Sequence, residues 1–334
     1  MESHVYHIPV MLMPSVDGLN VKESGVYVDV TLGGGGHSRE ILRRLGPDGR
    51  LFSFDQDAEA IRQVKRENQE ELSPCELQQS VCHGRWTLIQ SNFRYLRNWM
   101  RYYGIEQIDG LLADLGVSSH HFDAEGRGFS FRTDAPLDMR MNQHAGQTAA
   151  DVVNTYTEEQ LTSLFRLYGE LRQAGRLADA IVKARQKQEL RTTGELTALL
   201  VPILIGGGQK WMRKAEDDTV PPAAKKDLAR AFQALRIEVN HEMEALKEML
   251  NAATRLLRPG GRLVVMSYHS LEDRMVKNLM RAGNIEGVVQ QDVYGRVLTQ
   301  LKPLGKPQVA DADEQERNPR SRSAVLRVAE KVEK

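Results

Sequence analysis

The 334-residue chain predicts an α/β fold, an open and mainly parallel sheet into which a helical domain is inserted. Three observations predict it. Val26 to Asp57 reads strand, glycine turn, helix, strand, acid. Apolar runs then alternate with helical patterns as far as Leu115, the spacing of a parallel sheet with helices on both faces. From residue 123 to about 222 the alternation stops, and no strand-like run returns until Arg262.

The first unit carries the most information. Val26 to Leu32 is short, apolar and rich in β-branched residues, as a buried strand requires. Gly33 to Gly36 follow, and His37 and Ser38 open an amphipathic helix with Ile41, Leu42 and Leu45 on one face. Gly46 and Pro47 stop it. A second strand, Leu51 to Phe54, ends in Asp55. This is the Rossmann-like plan of a nucleotide-type site. The glycines let the backbone approach a ligand, and an acid about 20 residues on accepts ribose hydroxyls. A dinucleotide site wants G-x-G-x-x-G; Gly33 and Gly35 fit, but Ser38 stands third. Asp29, four residues before the glycines, looks instead like the acid-x-x-x-glycine opening of S-adenosylmethionine (SAM) methyltransferases, where an acid can sit near the cationic end of the cofactor. SAM is favoured over a nicotinamide cofactor and over a turn that binds nothing.

Residues 4 to 13 mix apolar and aromatic side chains around Pro9, which forbids a helix interior, so they are expected to cross the core or the cleft. Asp57 to Leu72 is a helix, and residues 73 to 85 are a polar, irregular insertion. Trp86 to Gln90 is the third strand, Phe93 to Tyr103 a helix, and Ile108 to Leu115 the fourth strand. Ligand residues sit at the carboxyl ends of such strands. The candidates there are the glycine turn, Asp55, Phe93 and Asp114, with Phe93 either stacking on adenine or filling core.

The insertion opens with FDAEGRGFSFRTDAPLDMRMN and continues as helices over Thr157 to Tyr168, Leu171 to Gln188 and Thr193 to Ile205. Glycines 206 to 208 and Pro221-Pro222 mark its far border, giving a first sheet part over 1–122, an inserted substrate domain over 123–222 and a second sheet part over 223–334. Lys225 to Leu257 reads as one long helix ending at Pro259-Gly260-Gly261. Arg262 to Tyr268 is the fifth strand, and Ser270 with Asp273 resembles a capping box for the helix behind it. Residues 294 to 330 offer two closing strands, the last over Ala324 to Ala329.

Composition is that of an ordinary globular protein, 41% apolar and 27% charged, with 45 basic and 45 acidic residues, so any basic surface is local. Cys75 and Cys82 lack metal-ligand neighbours and read as free thiols in a reducing cytoplasm; no metal site is expected. The N-terminus is too short and polar for a secretory signal, and no apolar run approaches the roughly 20 residues of a membrane span, so the expectation is a cytoplasmic protein with no membrane partner. Arg317, Arg320, Arg322 and Arg327 alternate with serines near the end, either as a solvated tail or as phosphate contacts.

Taken together, DLGVSS at 114–119, GFSFRTDAPLDMRMN at 128–142, YGE at 168–170, FQALRIEVN at 232–240, SYHSLEDR at 267–274 and NPRSRSAVLR at 318–327 resemble the ribosomal RNA small subunit methyltransferase H family. HIPVM at 7–11 and DVTLGGGGHS at 29–38 are similar to it as well; 66–86, 203–227 and 283–300 match weakly. The resemblance implies a class I SAM-dependent methyltransferase that modifies the exocyclic N4 of a cytidine in the decoding region of 16S ribosomal RNA. It carries cofactor roles onto Gly35, Gly36, His37, Asp55, Phe93, Asp114 and the position after the SS pair, which here is His121 in SSHH. The expected partner is small-subunit ribosomal RNA within the assembled 30S subunit, with a homodimer as a further expectation. Departures after YGE and before FQALRI fall in or beside the substrate domain.

Methyl transfer to a cytosine amine asks for positioning and for an acceptor near the amine proton, because the lone pair is delocalised into the ring. The acid- or asparagine-Pro-Pro-aromatic motif of many amino methyltransferases is replaced here by DLGVS. Asp114, Ser118, Ser119, Asn240 and His269 are the acceptor candidates, with Asn240 and His269 preferred as catalytic residues. Arg127, Arg132, Arg140 and Arg236 with Phe129, Phe131, Met139 and Met141 suit phosphate contacts and stacking, or else the core of a loop. The rivals are a nicotinamide oxidoreductase and a non-enzymatic RNA-binding assembly factor on the same fold.

Overall fold

The computed structural model describes residues 9–67, 80–116, 126–142, 146–206 and 220–333. The chain forms two compact units, Met1–Gly116 with Met243–Lys334, and Val117–Glu242.

In the first unit the strands are β1 (Val26–Asp29), β2 (Arg50–Asp55), β3 (Ser80–His83), β4 (Trp86–Gln90), β5 (Ile108–Asp114), β6 (Leu257–Ser267), β7 (Leu301–Pro303), β8 (Gln308–Val309) and β9 (Val325–Lys331). They form one sheet in the order β3-β4-β2-β1-β5-β6-β9-β7, with β8 beside β9. β4, β2, β1, β5 and β6 run parallel; β9 runs antiparallel between β6 and β7. From β1 the chain goes to β2 on one side and later to β5 on the other. Such a reversal opens a crevice at the carboxyl ends of the strands.

Each inner strand is apolar on both faces because both are covered. Val28, Phe52, Leu111 and Leu263 enter one core, while Tyr27, Leu51, Leu112 and Val264, one residue away in each strand, enter the other. The helices are α1 (Leu12–Leu19), α2 (Gly36–Arg44), α3 (Ala58–Glu67), α4 (Leu96–Tyr102), α10 (Glu242–Leu256), α11 (Ser270–Ala282) and α12 (Ala312–Arg317), of which α10 begins at the last residue of the second unit.

Five expectations change. Ser80–His83, read as irregular, is an antiparallel edge strand on β4; an edge strand needs one neighbour, so its polar sequence hid it. The N-terminal stretch holds a helix from Leu12, because Pro9 lies outside it and Pro14 falls in its first turn, where no N–H is needed. The long pattern from Lys225 is two helices, α9 (Pro222–Asn240) and α10, broken where His241 turns to φ 49°. The N-cap of α11 is His269 paired with Glu272, one residue before the expected Ser270 and Asp273. The closing segment has three short strands, not two.

The second unit holds α5 (Ala149–Thr155), α6 (Glu158–Leu167), α7 (Ala174–Arg185), α8 (Thr193–Leu204) and α9. Thr148 with Asp151, Thr157 with Gln160 and Thr192 with Glu195 close three capping boxes at their starts. Phe165, Leu177, Leu200, Leu228 and Phe232 share one core with Phe129, Leu137, Met139 and Met141. By contacts this unit runs to Glu242, past Pro222, since α9 buries its apolar face here. Among the described residues no helix is long and apolar enough to cross a membrane.

Candidate functional site

The glycine turn is built by conformation and by steric need. Gly33 and Gly35 sit at φ 49° and 77°, a region that costs other residues strain. A Cβ on Gly36 would lie 2.1 Å from Pro9 Cγ. Asp55 then ties the turn to β2: one carboxylate oxygen accepts the Gly33 N–H at 2.9 Å, the other the Asp57 N–H at 2.9 Å. Both oxygens are thereby fixed beside the turn. Among the described residues a Cβ on Gly33 would meet nothing within 4 Å, so they leave the backbone there open to a ligand. The turn's geometry and the acceptor chemistry of Asp55 both fit a ribose.

Asp29 does not face that cradle. It is fully buried; its carboxylate accepts the Ser38 hydroxyl at 2.6 Å and the Thr31 N–H at 3.0 Å. Ser38 and Ser53 oxygens lie 2.8 Å apart, and the Trp86 indole donates to Ser53 at 2.8 Å. An indole N–H can only donate, so the chain runs Trp86 to Ser53 to Ser38 to Asp29. The acid expected beside a cationic ligand thus pins α2 and β2 to β1. Ser38, the residue that spoils a dinucleotide pattern, is the donor that Asp29 needs. Thr31 carries the network onward, its hydroxyl accepting the Asp114 N–H at 2.7 Å.

Asp114 ends β5 at the crevice. Its Oδ1 accepts the Tyr268 hydroxyl at 2.7 Å, and its Oδ2 lies 4.0 Å from His37 Nδ1. His37 Nε2 is 3.2 Å from the Val10 carbonyl oxygen, which leaves Nδ1 toward Asp114. Burial pushes the Asp114 carboxyl up from 3.8 to about 6, against the opposing pull of His37 and the Tyr268 hydrogen bond. Burial also holds the Tyr268 hydroxyl well above its ordinary value, with the Asp114 charge adding to it, so Tyr268 is a fixed donor. Tyr268 and Glu272 went unread as site residues. Their only signal was their place in SYHSLEDR.

Phe93 opens a 3-10 turn after β4, half-buried against the core, with Asn92 capping it. Asn92 Nδ2 donates to Gln56 at 2.8 Å, joining the loops that follow β4 and β2. His269 Nδ1 accepts the Glu272 N–H at 3.4 Å, and its Nε2 lies 3.1 Å from Glu272 Oε1. The other Glu272 oxygen accepts the Tyr268 N–H at 2.9 Å, so one buried acid holds both neighbours. Gly35, Gly36, His37, Asp55, Phe93, Asp114 and His269 all lie in the first unit. His121, Ser118, Ser119 and Cys75 lie outside the described residues.

Asn240 belongs to the second unit. Its amide donates to the Met139 and Arg236 carbonyls at 2.8 Å each and accepts the Met141 N–H at 2.8 Å. The basic and aromatic set around it is mostly internal. Arg127 is buried and donates to the Arg140 and Met141 carbonyls; Arg140 pairs with Asp138 and Arg236 with Glu242. Phe129 is core, and Phe131 meets Phe232 edge-on at 5.5 Å. Arg132 is exposed. At the chain's end Arg327 forms a bidentate pair with Asp273, which removes it from the expected phosphate contacts.

A parallel sheet reversing at β1, a glycine turn at that point and acids ending the second and fourth parallel strands define a class I SAM-dependent methyltransferase. The chain belongs to the MraW methylase family, whose profile matches residues 4–332. Among its relatives is the Ribosomal RNA small subunit methyltransferase H of Bacteroides thetaiotaomicron, 56% identical over 327 residues, 98% of this chain and 97% of the relative. The protein of the same description from Phocaeicola vulgatus is 55% identical over 328 residues, 98% of each chain. That from Parabacteroides distasonis is 53% identical over 329 residues, again 98% of each. SAM is the cofactor of this family and fold.

Proposed function

We propose that this protein transfers a methyl group from SAM to the exocyclic N4 of a cytidine in the decoding region of 16S ribosomal RNA, acting on the assembled 30S subunit in the cytoplasm. The observation that carries the reading is the Asp114 carboxylate. The Tyr268 hydroxyl donates to it, and the Thr31 hydroxyl accepts the backbone N–H of the same residue, at the carboxyl end of β5 where the sheet reverses beside the glycine turn and Asp55. When bound, SAM supplies a methyl group already activated by its sulfonium.

This chain's residues have the positioning to do. Asp55 is assigned to the ribose hydroxyls, Gly35, Gly36 and His37 to the turn that faces the cofactor, Phe93 to the adenine face, and Asp114 to the cationic amino-acid end. His121 completes the set by resemblance. The attacking amine becomes cationic on methylation and then releases a proton readily, so a weak acceptor suffices. His269 is proposed to orient the amine and receive that proton; it also caps a helix, so its substitution is read against a control that preserves the cap. Asn240, whose amide is taken up by the Met139, Arg236 and Met141 backbone, keeps only a structural role.

The test is transfer of labelled methyl from SAM to 30S subunits from cells lacking this protein, with digestion and mass analysis of the nucleosides. Label in N4-methylcytidine, lost in Asp55→Ala, is the expected result. Label in another nucleoside would move the substrate. Subunit binding with no SAM binding would replace the enzyme with an assembly factor.

A further inference from the structure

α11 runs from the candidate site to a projecting finger. Its N-cap His269 follows Tyr268, the partner of Asp114, and its thirteen residues span about 20 Å. Gly283 ends it in the left-handed conformation, and Asn284 donates to the Val288 carbonyl oxygen, where a short hairpin begins. Gln291 bridges Val297 across this hairpin, and the Leu298 N–H donates to the Gln290 carbonyl at 2.7 Å. At the tip, the Asp292 carboxylate accepts the N–H groups of Tyr294 and Arg296 at 2.8 and 2.9 Å. The tip is thereby organised, yet it presents Val293 at 93% exposure and Tyr294 at 82%.

Val288, Val289, Val297 and Leu298 are exposed in the same segment, and such a concentration of apolar side chains, unlike a stray one, marks an interaction surface. The charges nearby say which kind. Arg274, Lys277 and Arg281 are exposed at spacings of three and four, hence on one face of α11, and Arg296 is exposed on the finger. Asp292 spends its carboxylate on the tip's own backbone. A basic helical stripe leading to an exposed tyrosine matches a polyanion with stackable bases. A protein partner would have to supply both an acidic face and an apolar pocket.

We infer that α11 and the 288–298 finger form a second RNA-docking surface, the helix following the phosphates beside the target nucleotide and Tyr294 stacking on an unpaired base beyond them. This rests on the ribosomal RNA reading of the site. It goes beyond that reading by assigning the recognition of flanking RNA to the sheet unit, in a segment where the family resemblance is weak.

The test replaces Tyr294→p-benzoylphenylalanine for photocrosslinking to 30S subunits, and in parallel assays Tyr294→Ala and the double change Lys277→Glu with Arg281→Glu. The crosslink is expected on 16S RNA. Tyr294→Ala is expected to raise KM for the subunit about tenfold, the loss of one stacked base, with kcat and SAM affinity unchanged. The charge reversal is expected to lower the salt dependence of subunit binding by roughly one unit of slope for each lost contact. A crosslink to a ribosomal protein or a second copy, no crosslink in a productive complex, or an unchanged KM would each overturn the inference. Co-sedimentation of the variants with subunits reads the finger apart from catalysis. A wild-type protein that binds RNA through Tyr294 without transferring methyl would leave the docking surface standing and sink the proposed reaction.

Discussion

Asp114 is where charge and burial meet in one side chain. Its carboxyl sits near 6 in the folded protein and at 3.8 when exposed, so the folded state holds a proton that the unfolded chain has lost. Its contribution to stability is therefore full below about pH 4 and disappears as pH rises through about 6, some 3 kcal/mol in all. Thermal melts of the ligand-free protein should fall over that window, and Asp114→Asn should flatten the slope. A cationic ligand favours the ionised form, so SAM affinity, measured by calorimetry, should weaken as pH drops below about 6 and lose that dependence in Asp114→Asn. Tyr268→Phe removes a bond to the ionised carboxylate and should move the affinity midpoint upward. Ser38→Ala should cost about 2 kcal/mol in denaturant melts, because a buried acid loses a donor.

Between elements, the decisive contacts are junctions. Gly36 admits Pro9 against the start of α2, and Gly36→Ala should displace the N-terminal segment and with it the Val10 carbonyl that orients His37. The expected readout is a loss of SAM affinity with the melt reduced only modestly. His269 is both an N-cap and a proposed proton acceptor, and two substitutions separate the roles. His269→Ala should lower stability by about 1 kcal/mol, the usual worth of an N-cap. His269→Asn keeps a capping oxygen and should restore the melt while kcat stays low. If kcat returns with stability, His269 is a cap alone.

For the whole molecule, 45 basic against 45 acidic residues argue for recognition by shape rather than by bulk charge. Transfer to intact 30S subunits should exceed transfer to deproteinised 16S RNA by at least about tenfold in kcat/KM at physiological salt, where phosphate contacts alone bind weakly. Local features were legible in the sequence: the strand periods, the glycine turn, the acids at strand ends, and a helical interruption before the last parallel strand, though that strand starts at Leu257 rather than Arg262. Those features follow from residues a few places apart, so Asp55 and Asp114 were legible as site candidates. Tertiary structure decided which polar groups still had capacity for a ligand. Asp29 and Asp114 look alike in sequence, but the first is spent on Ser38 and Thr31 in the interior while the second ends at the crevice. Arg127 and Asn240 were absorbed in the same way by carbonyls that only the fold brings to them. Hydrogen-bond capacity is set by partners distant along the chain, and burial decides whether water can stand in for them.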